Sequence, residues 1–193
     1  MNCKEISAIV LAAGESSRLG KPKQLIPWQG KTLLGYTIQK IRKSGIEDIV
    51  LVLGAYSQVI TNTINIIGLR IVNNPLWKTG KASSIKAGLS CISTESKGVI
   101  IFLSDQPFLS TRLITELINA SSNPEAEIIA PQIGNRLANP VLFKKEVFHA
   151  FETLMGEEGG KNLFDKFNMY RIPWKDARIL KDIDTMDDLS NLV

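Results

Sequence analysis

Apolar residues in this chain come in short, nearly unbroken runs, separated by stretches with helical spacing. The runs cover residues 6–13, 48–53, 70–73, 99–103 and 127–130 and are rich in Val, Ile and Leu. Unbroken apolar runs of this length predict strands covered on both faces, since a half-exposed strand would alternate with polar residues. Residues 33–44, 58–66, 83–91 and 111–120 instead recur at the helical period, as Leu33, Leu34, Ile38 and Ile41 do. Strand alternating with helix predicts an α/β fold with three layers: a mostly parallel central sheet, helices on both faces and right-handed crossovers. No repeat, low-complexity segment or long linker interrupts the pattern. The 193 residues suffice for a single domain, 1–193, with a full core.

In such a sheet, ligands bind beyond the carboxyl ends of the strands. Three polar segments follow strands there: Gly14-Glu15-Ser16-Ser17-Arg18-Leu19-Gly20, then Asn74-Pro75, then Ser104-Asp105-Gln106-Pro107. The first continues to Lys23 as GESSRLGKPK. Its glycines let backbone N–H groups approach an anion, its serines add donors, and Arg18, Lys21 and Lys23 add charge, which suits a polyphosphate. The spacing excludes a P-loop, because five residues separate Gly14 from Gly20 and Pro22 follows Lys21. It excludes GxGxxG as well. Alone, the segment reads equally as a solvated turn carrying surface cations.

Composition narrows the chemistry. A net charge of +4 spread along the chain attracts anions weakly and provides no basic, aromatic-interleaved patch for nucleic acid. No apolar run approaches the roughly 20 residues of a membrane span. The opening segment, broken by Glu5, reads as a strand and not as a signal peptide. A cytoplasmic protein is expected. Cys3 and Cys91, outside any CxxC, are expected as buried free thiols. The single histidine, His149, lies in an expected helix between Phe148 and Phe151, solvated or at the core edge, and leaves a Ser-His-Asp triad without support.

Six segments, in order, resemble the NTP-transferase family related to MobA, which has a Rossmann-like fold, and within it the molybdenum cofactor cytidylyltransferase (MocA-like) branch. They are Leu11-Ala12-Ala13-Gly14-x-Ser16-x-Arg18-x-Gly20-x-x-Lys23, the Gly80 to Gly88 stretch, Leu103-Ser104-Asp105-Gln106-Pro107, Asn139-Pro140-Val141-Leu142-Phe143, Gly156 to Lys161, and Asp182-Ile183-Asp184-Thr185-Met186-Asp187-Asp188-Leu189. The chain departs from the pattern at Lys81, where the family usually has Met, and at Ala138, where it usually has Gly.

The resemblance implies that the terminal phosphate of an acceptor attacks the α-phosphorus of an NTP and pyrophosphate leaves. A phosphate monoester is already anionic, so positioning and charge neutralisation matter more than a strong base. The resemblance implies Arg18 on the β- and γ-phosphates, as its planar fork suits phosphate oxygens, and Lys23 on the α-phosphate. Asp105 would hold Mg²⁺; on its own it reads as a turn-forming Asp before Gln106-Pro107. Asp182 would be a second carboxylate on the ion, with Asp184 as the alternative; otherwise the two belong to the N-cap of the last short helix, with Asp184 or Thr185 capping. Lys21 reads as solvated. Base and ribose would meet Leu11, Ala12, Ala13, Gly14 and Ser16, the Gly80 to Ser84 segment and Asn74. Asn74 is otherwise a turn residue, and Ser84 otherwise a helix cap.

Ala13 stands where guanylyltransferase relatives carry Gly. Its methyl would narrow the base pocket towards a pyrimidine, hence CTP. Asn139, Pro140, Gly159 and Gly160 fall on the expected acceptor side, which suits a phosphorylated pterin or, equally, a surface loop. Trp28, Trp77 and Trp174 are large enough to stack on a pterin, with packing as the alternative. The implied partners are CTP and a molybdopterin-type acceptor, with a molybdoenzyme or its chaperone as recipient, and neither nucleic acid nor membrane. Another phosphorylated acceptor such as a sugar phosphate, a GTP-specific guanylyltransferase, and a non-catalytic nucleotide or cofactor carrier remain alternative readings.

Overall fold

The computed structural model describes residues 1–190. The chain begins with β1 (Ile6–Ala12), the small hairpin β2 (Pro27–Trp28) and β3 (Lys31–Thr32), and α1 (Leu33–Lys43). It continues through β4 (Ile49–Leu53), α2 (Ser57–Thr63), β5 (Arg70–Asn73), α3 (Lys81–Leu89), β6 (Gly98–Leu103) and α4 (Thr111–Ala120). The last part holds β7 (Ile128–Ile133), β8 (Arg136–Leu137), β9 (Val141–Lys144), β10 (Met169–Pro173) and α5 (Met186–Ser190). One sheet has the order β10-β7-β9-β6-β1-β4-β5, with β8 hydrogen-bonded to β7. β1 is parallel to β4 and β6, β4 to β5, and β7 to β10, while β9 runs antiparallel to β6 and β7.

Period-two alternation within the unbroken apolar strands feeds both faces of the sheet. Ala8 and Val10, Ile49, Leu51 and Leu53, and Ile100 and Phe102 face one layer, closed by Leu34, Ile38 and Ile41 of α1 and Ile114 and Leu117 of α4. Ile9, Val50 and Val52, and Val99 and Ile101 face the other, closed by Ala82 and Ile85 of α3 and by Val147 and Phe151. The expected three layers are therefore present. Helix starts are fixed by caps: the Thr32 hydroxyl accepts from Gly35 N at 3.0 Å and the Ser110 hydroxyl from Leu113 N at 3.2 Å.

Gly88 sets how closely α3 lies on the sheet. A Cβ there would stand 2.7 Å from Ile9 Cγ2 and 3.1 Å from Val52 Cγ2, and neither fully buried side chain can retreat. Alanine would gain about 1 kcal/mol of helix propensity, but overpacking costs about 1–3 kcal/mol. Gly88→Ala should therefore lower the urea midpoint modestly and Gly88→Val strongly. An unchanged midpoint for the valine variant would show that α3 can lift off the sheet freely.

Three details differ from the sequence reading. Residues 141–144 and 169–173 are strands although their patterns did not mark them. β9 is only four residues long, and β10 is an edge strand with Tyr170, Arg171 and Pro173 exposed. The segment around His149 is a run of 3-10 turns, Lys145–Thr153, with His149 exposed and edge-on to Phe167. Cys3 and Cys91 are half-buried, not buried, because both lie at the ends of elements, at the rim of the core. No helix among the described residues is long and apolar enough to cross a membrane.

Candidate active site

The carboxyl ends of β1, β4, β5 and β6 open on one edge, and the antiparallel β9 brings its beginning to the same edge, since Val141 pairs with Ile101. Asn139 thus arrives beside the end of β6. The loop after β1 turns through Ser16, whose φ of 57° is left-handed, into a 3-10 turn, Ser17–Leu19, and out through Gly20 at φ 63°. Leu19 anchors this turn in a small apolar cluster with Ile26, Leu33 and Ile183. The Ser16 hydroxyl accepts from Lys23 N at 3.2 Å. Gln24, almost wholly buried, donates through Nε2 to the carbonyls of Ala12 at 3.0 Å and Gly14 at 3.1 Å, and so shapes the loop from behind.

The side chains this loop presents meet two other segments. Lys23 Nζ donates to Asp105 Oδ2 at 2.5 Å and to Asp184 Oδ1 at 2.9 Å, and Arg18 Nη2 donates to Asp184 Oδ2 at 3.0 Å. The C-terminal segment is pinned by Ile183, whose side chain is fully buried and whose N donates to the Asp105 carbonyl at 3.0 Å. With Ile183 turned into the core, its neighbours Asp182 and Asp184 are free to face the site. Asp182 Oδ1 accepts from Gln106 Nε2 at 3.0 Å. The cap of α5 is Thr185, which accepts from Asp188 N at 3.1 Å while Asp188 accepts from Thr185 N at 2.7 Å. Of the two expected caps, Thr185 is therefore the one used, and Asp184 turns to Lys23 and Arg18 instead.

Electrostatics follow from this packing. Burial pulls the Lys23 ammonium down, but Asp105 and Asp184 outweigh it and the net pKa is raised, so Lys23 stays charged. The Lys23 hydrogen bond, with Arg18 beside it, holds Asp184 below the usual carboxylate range. Asp182 goes the other way. Burial of its carboxyl within the rim, with the negative charge of Asp105, raises its pKa against the Gln106 hydrogen bond. The residue as a whole is exposed, but its carboxyl faces the protein.

Two adjoining cavities border this cluster, one through Asp105 and the other through Asp182. One, of about 180 Å³, is lined by Leu11, Ala13, Gly14, Trp77, Gly80, Lys81, Ser84, Leu103, Asp105 and Glu157. The other, of about 220 Å³, has an apolar floor that includes Ile101, Val141, Phe143 and Phe164 and a rim of Asn139, Gly159, Gly160, Lys161 and Asp182. Of the residues expected on the nucleotide side, Leu11, Ala13, Gly14, Gly80 and Ser84 line the first cavity, and Asn139, Gly159 and Gly160 of the expected acceptor side line the second. Six line neither: Ser16, Arg18 and Lys23 on the first loop, and Ala12, Asn74 and Pro140. Asn74 is buried, and its amide donates to Ser83 and Ser84 at 2.9 and 3.0 Å, so it braces α3 and lines neither cavity. Ser84, far from capping, accepts that bond from within the helix. Pro140 lies behind Asn139 and Ala12 behind the loop; both are buried and line neither cavity. Of the tryptophans, Trp77 lines the first cavity. Trp28 donates to the Pro107 carbonyl at 2.9 Å, and Trp174 stacks with Arg112 away from the site.

The donor set fits a hard divalent cation. Asp105 Oδ1 is buried with no hydrogen-bond partner, an acceptor left over for an ion. No group of three or more metal-ligating side chains occurs among the described residues. The protein would thus supply Asp105 and Asp182 and leave the remaining positions to phosphate oxygens and water, which suits Mg²⁺.

A mostly parallel sheet whose strand ends carry this loop, this lysine–aspartate cluster and two adjoining cavities is an α/β nucleotidyltransferase fold. The chain belongs to the MobA-like NTP transferase family, matching its domain over residues 8–171. It is 27% identical to nicotine blue oxidoreductase of Paenarthrobacter nicotinovorans, over 97% of this chain and 96% of that protein. A probable molybdenum cofactor guanylyltransferase of Bacillus cereus is 30% identical over 79% of this chain and 74% of that protein. The molybdenum cofactor cytidylyltransferase of Escherichia coli is 25% identical over 95% and 93%. Among solved structures, Rv0371c of Mycobacterium tuberculosis superposes with a TM-score of 0.88 at 27% identity, covering 99% of this chain and 98% of that one. The same protein has been solved in complex with manganese, with a TM-score of 0.83 at 25% identity over 98% of both chains.

Proposed function

We propose that this chain transfers CMP from CTP to the terminal phosphate of molybdopterin. An acceptor phosphate oxygen forms a bond to the α-phosphorus, the bond from that phosphorus to the bridging oxygen of the β-phosphate breaks, and pyrophosphate carries the electron pair away. The observation that carries the reading is the meeting of Lys23 and Asp105 at 2.5 Å at the edge of the cavity that Asp105 and Gly14 line. The triphosphate lies along the loop from Gly14 to Lys23, with Arg18 on the β- and γ-phosphates and Lys23 on the α-phosphate. Both cations exchange their present carboxylates for phosphate oxygens. Asp105 and Asp182 would hold Mg²⁺, which when bound neutralises charge on the phosphates. The second cavity, floored by Phe143 and Phe164 and rimmed by Asn139, Gly159 and Gly160, suits a flat ring system with a polar edge.

The choice of CTP rests on Ala13. Its carbonyl accepts from Ala55 N at 3.1 Å, and a Cβ on Gly54 would lie 2.6 Å from that carbonyl and 2.7 Å from Trp77 Cγ. Ala13 and Trp77 are therefore both packed on Gly54, and the Ala13 methyl cannot withdraw from a larger base.

The test is pyrophosphate release from the purified protein with Mg²⁺ or Mn²⁺, each NTP in turn, and molybdopterin present or absent. Release with CTP only when molybdopterin is present is expected, and Ala13→Gly should raise the GTP rate relative to the CTP rate. A wild type that prefers GTP would move the assignment to a guanylyltransferase. Release only with a sugar phosphate would change the acceptor. No release with any pair, despite tight nucleotide binding, would favour a carrier, or chemistry nearer to that of the relative named as an oxidoreductase.

A further inference from the structure

Four residues face both cavities: Leu11, Leu103, Lys81 and Glu157. Leu11 and Leu103 are cross-strand partners on β1 and β6 and form the apolar part of that shared wall. Lys81, the first residue of α3, is its one cation. Its backbone is fixed, because the next amide, Ala82 N, donates to the Gly156 carbonyl at 3.0 Å. Its side chain runs past Gly159, where an added Cβ would lie 3.3 Å from Lys81 Cδ, and the residue as a whole is exposed. The ammonium, by contrast, makes no hydrogen bond or ion pair among the described residues, not even with Glu157. A fixed backbone that delivers an unpartnered cationic tip to the shared wall of both cavities is an available anion contact.

This inference rests on the reading of the two cavities as nucleotide and acceptor sites. Transfer must then bring two anions together across the shared wall, the acceptor phosphate and the α-phosphate. Lys23 already serves the nucleotide side with Asp105, whereas the wall itself has only Lys81 to offset the repulsion. We propose that Lys81 grips the attacking phosphate of the acceptor, and that its charge selects phosphate monoesters over neutral acceptors. The residue is thus a specificity determinant for the acceptor, at a position where the resembled family usually has an uncharged Met.

The test compares the wild type with Lys81→Met, which keeps the stem over Gly159, and with Lys81→Arg, which keeps the charge. Initial rates of pyrophosphate release are read against acceptor and CTP concentrations separately. In Lys81→Met the acceptor KM should rise about 10- to 100-fold, the loss of one charge-assisted hydrogen bond, while the CTP KM stays within about threefold. Lys81→Arg should recover most of the loss. A rise in the CTP KM instead, or no change in either, overturns the proposal. Calorimetric titration of inorganic phosphate into protein saturated with a non-hydrolysable CTP analogue separates this from the functional reading. If the wild type turns over no acceptor yet binds phosphate, and Lys81→Met does not, the anion site stands and the transferase reading fails. If neither protein binds phosphate, the Lys81 proposal fails whatever the turnover.

Discussion

Replacing Asp105 with asparagine should stop pyrophosphate release in the presence of CTP, Mg²⁺ and molybdopterin while leaving the fold intact. Two roles compete for Asp105, and this substitution separates them. As a turn former ahead of Gln106-Pro107, Asn would serve nearly as well as Asp, because both bond their own backbone. As an anionic ligand, the neutral amide fails, since it neither offsets the charge of Lys23 nor replaces the carboxylate at the buried Oδ1 position. The expected loss is about 10³-fold or more in kcat, several kcal/mol of transition-state stabilisation. Lys23 keeps its 2.9 Å contact with Asp184, so the urea midpoint should move by no more than about 1 kcal/mol equivalent. A variant within tenfold of wild-type kcat would remove Asp105 from the metal and leave it a turn residue.

The general position of this site was legible because parallel strands all point the same way. Once residues 6–13 and 99–103 read as buried strands of one parallel sheet, the segments after them had to open on one edge, and Lys23 and Asp105, 82 positions apart, meet there. Individual side chains were less legible. Asn74 follows a strand just as Asp105 does, yet its amide turns inward to Ser83 and Ser84. Nothing in a single sequence distinguishes an Asn that faces a ligand from one that braces a helix. Gln24 was missed for the opposite reason: a polar residue next to a lysine and a proline reads as surface, whereas here it is buried and shapes the loop through two carbonyls. The pairing of Asp184 with both Arg18 and Lys23 had one available signal, the alternation around the apolar Ile183, which turns both flanking carboxylates away from the core. β9 had none, since four residues that pair antiparallel with β6 and β7 carry no periodicity long enough to read.

Removing the charge of Lys23 should cost both turnover and stability, and the stability loss should depend on pH in one direction. Lys23→Met keeps the stem and deletes the ammonium that Asp105 and Asp184 share. Turnover should fall about 10²- to 10³-fold, as for loss of one preorganised charge contact to the reacting phosphate. Folding should weaken by about 2–3 kcal/mol at neutral pH, less than for a fully buried pair because Asp184 is 39% exposed at its side chain. The pKa directions fix the rest. Asp184 is held below its ordinary value of 3.8, so its contribution in the wild type is present above that pH and is lost as pH falls through the lowered folded value. Lys23 is raised above 10.5, so its contribution is present below that pH and is lost as pH rises through the raised value. The variant lacks the Lys23 contribution and the larger part of Asp184's, the part that Lys23 causes, while Arg18 at 3.0 Å keeps the remainder. The gap in urea stability between wild type and variant, measured with chelator present, should therefore be widest between about pH 5 and pH 10 and should close towards pH 3. A gap that stays constant from neutral to acid pH would mean that Lys23 stabilises the loop through its packed stem and not through the two carboxylates.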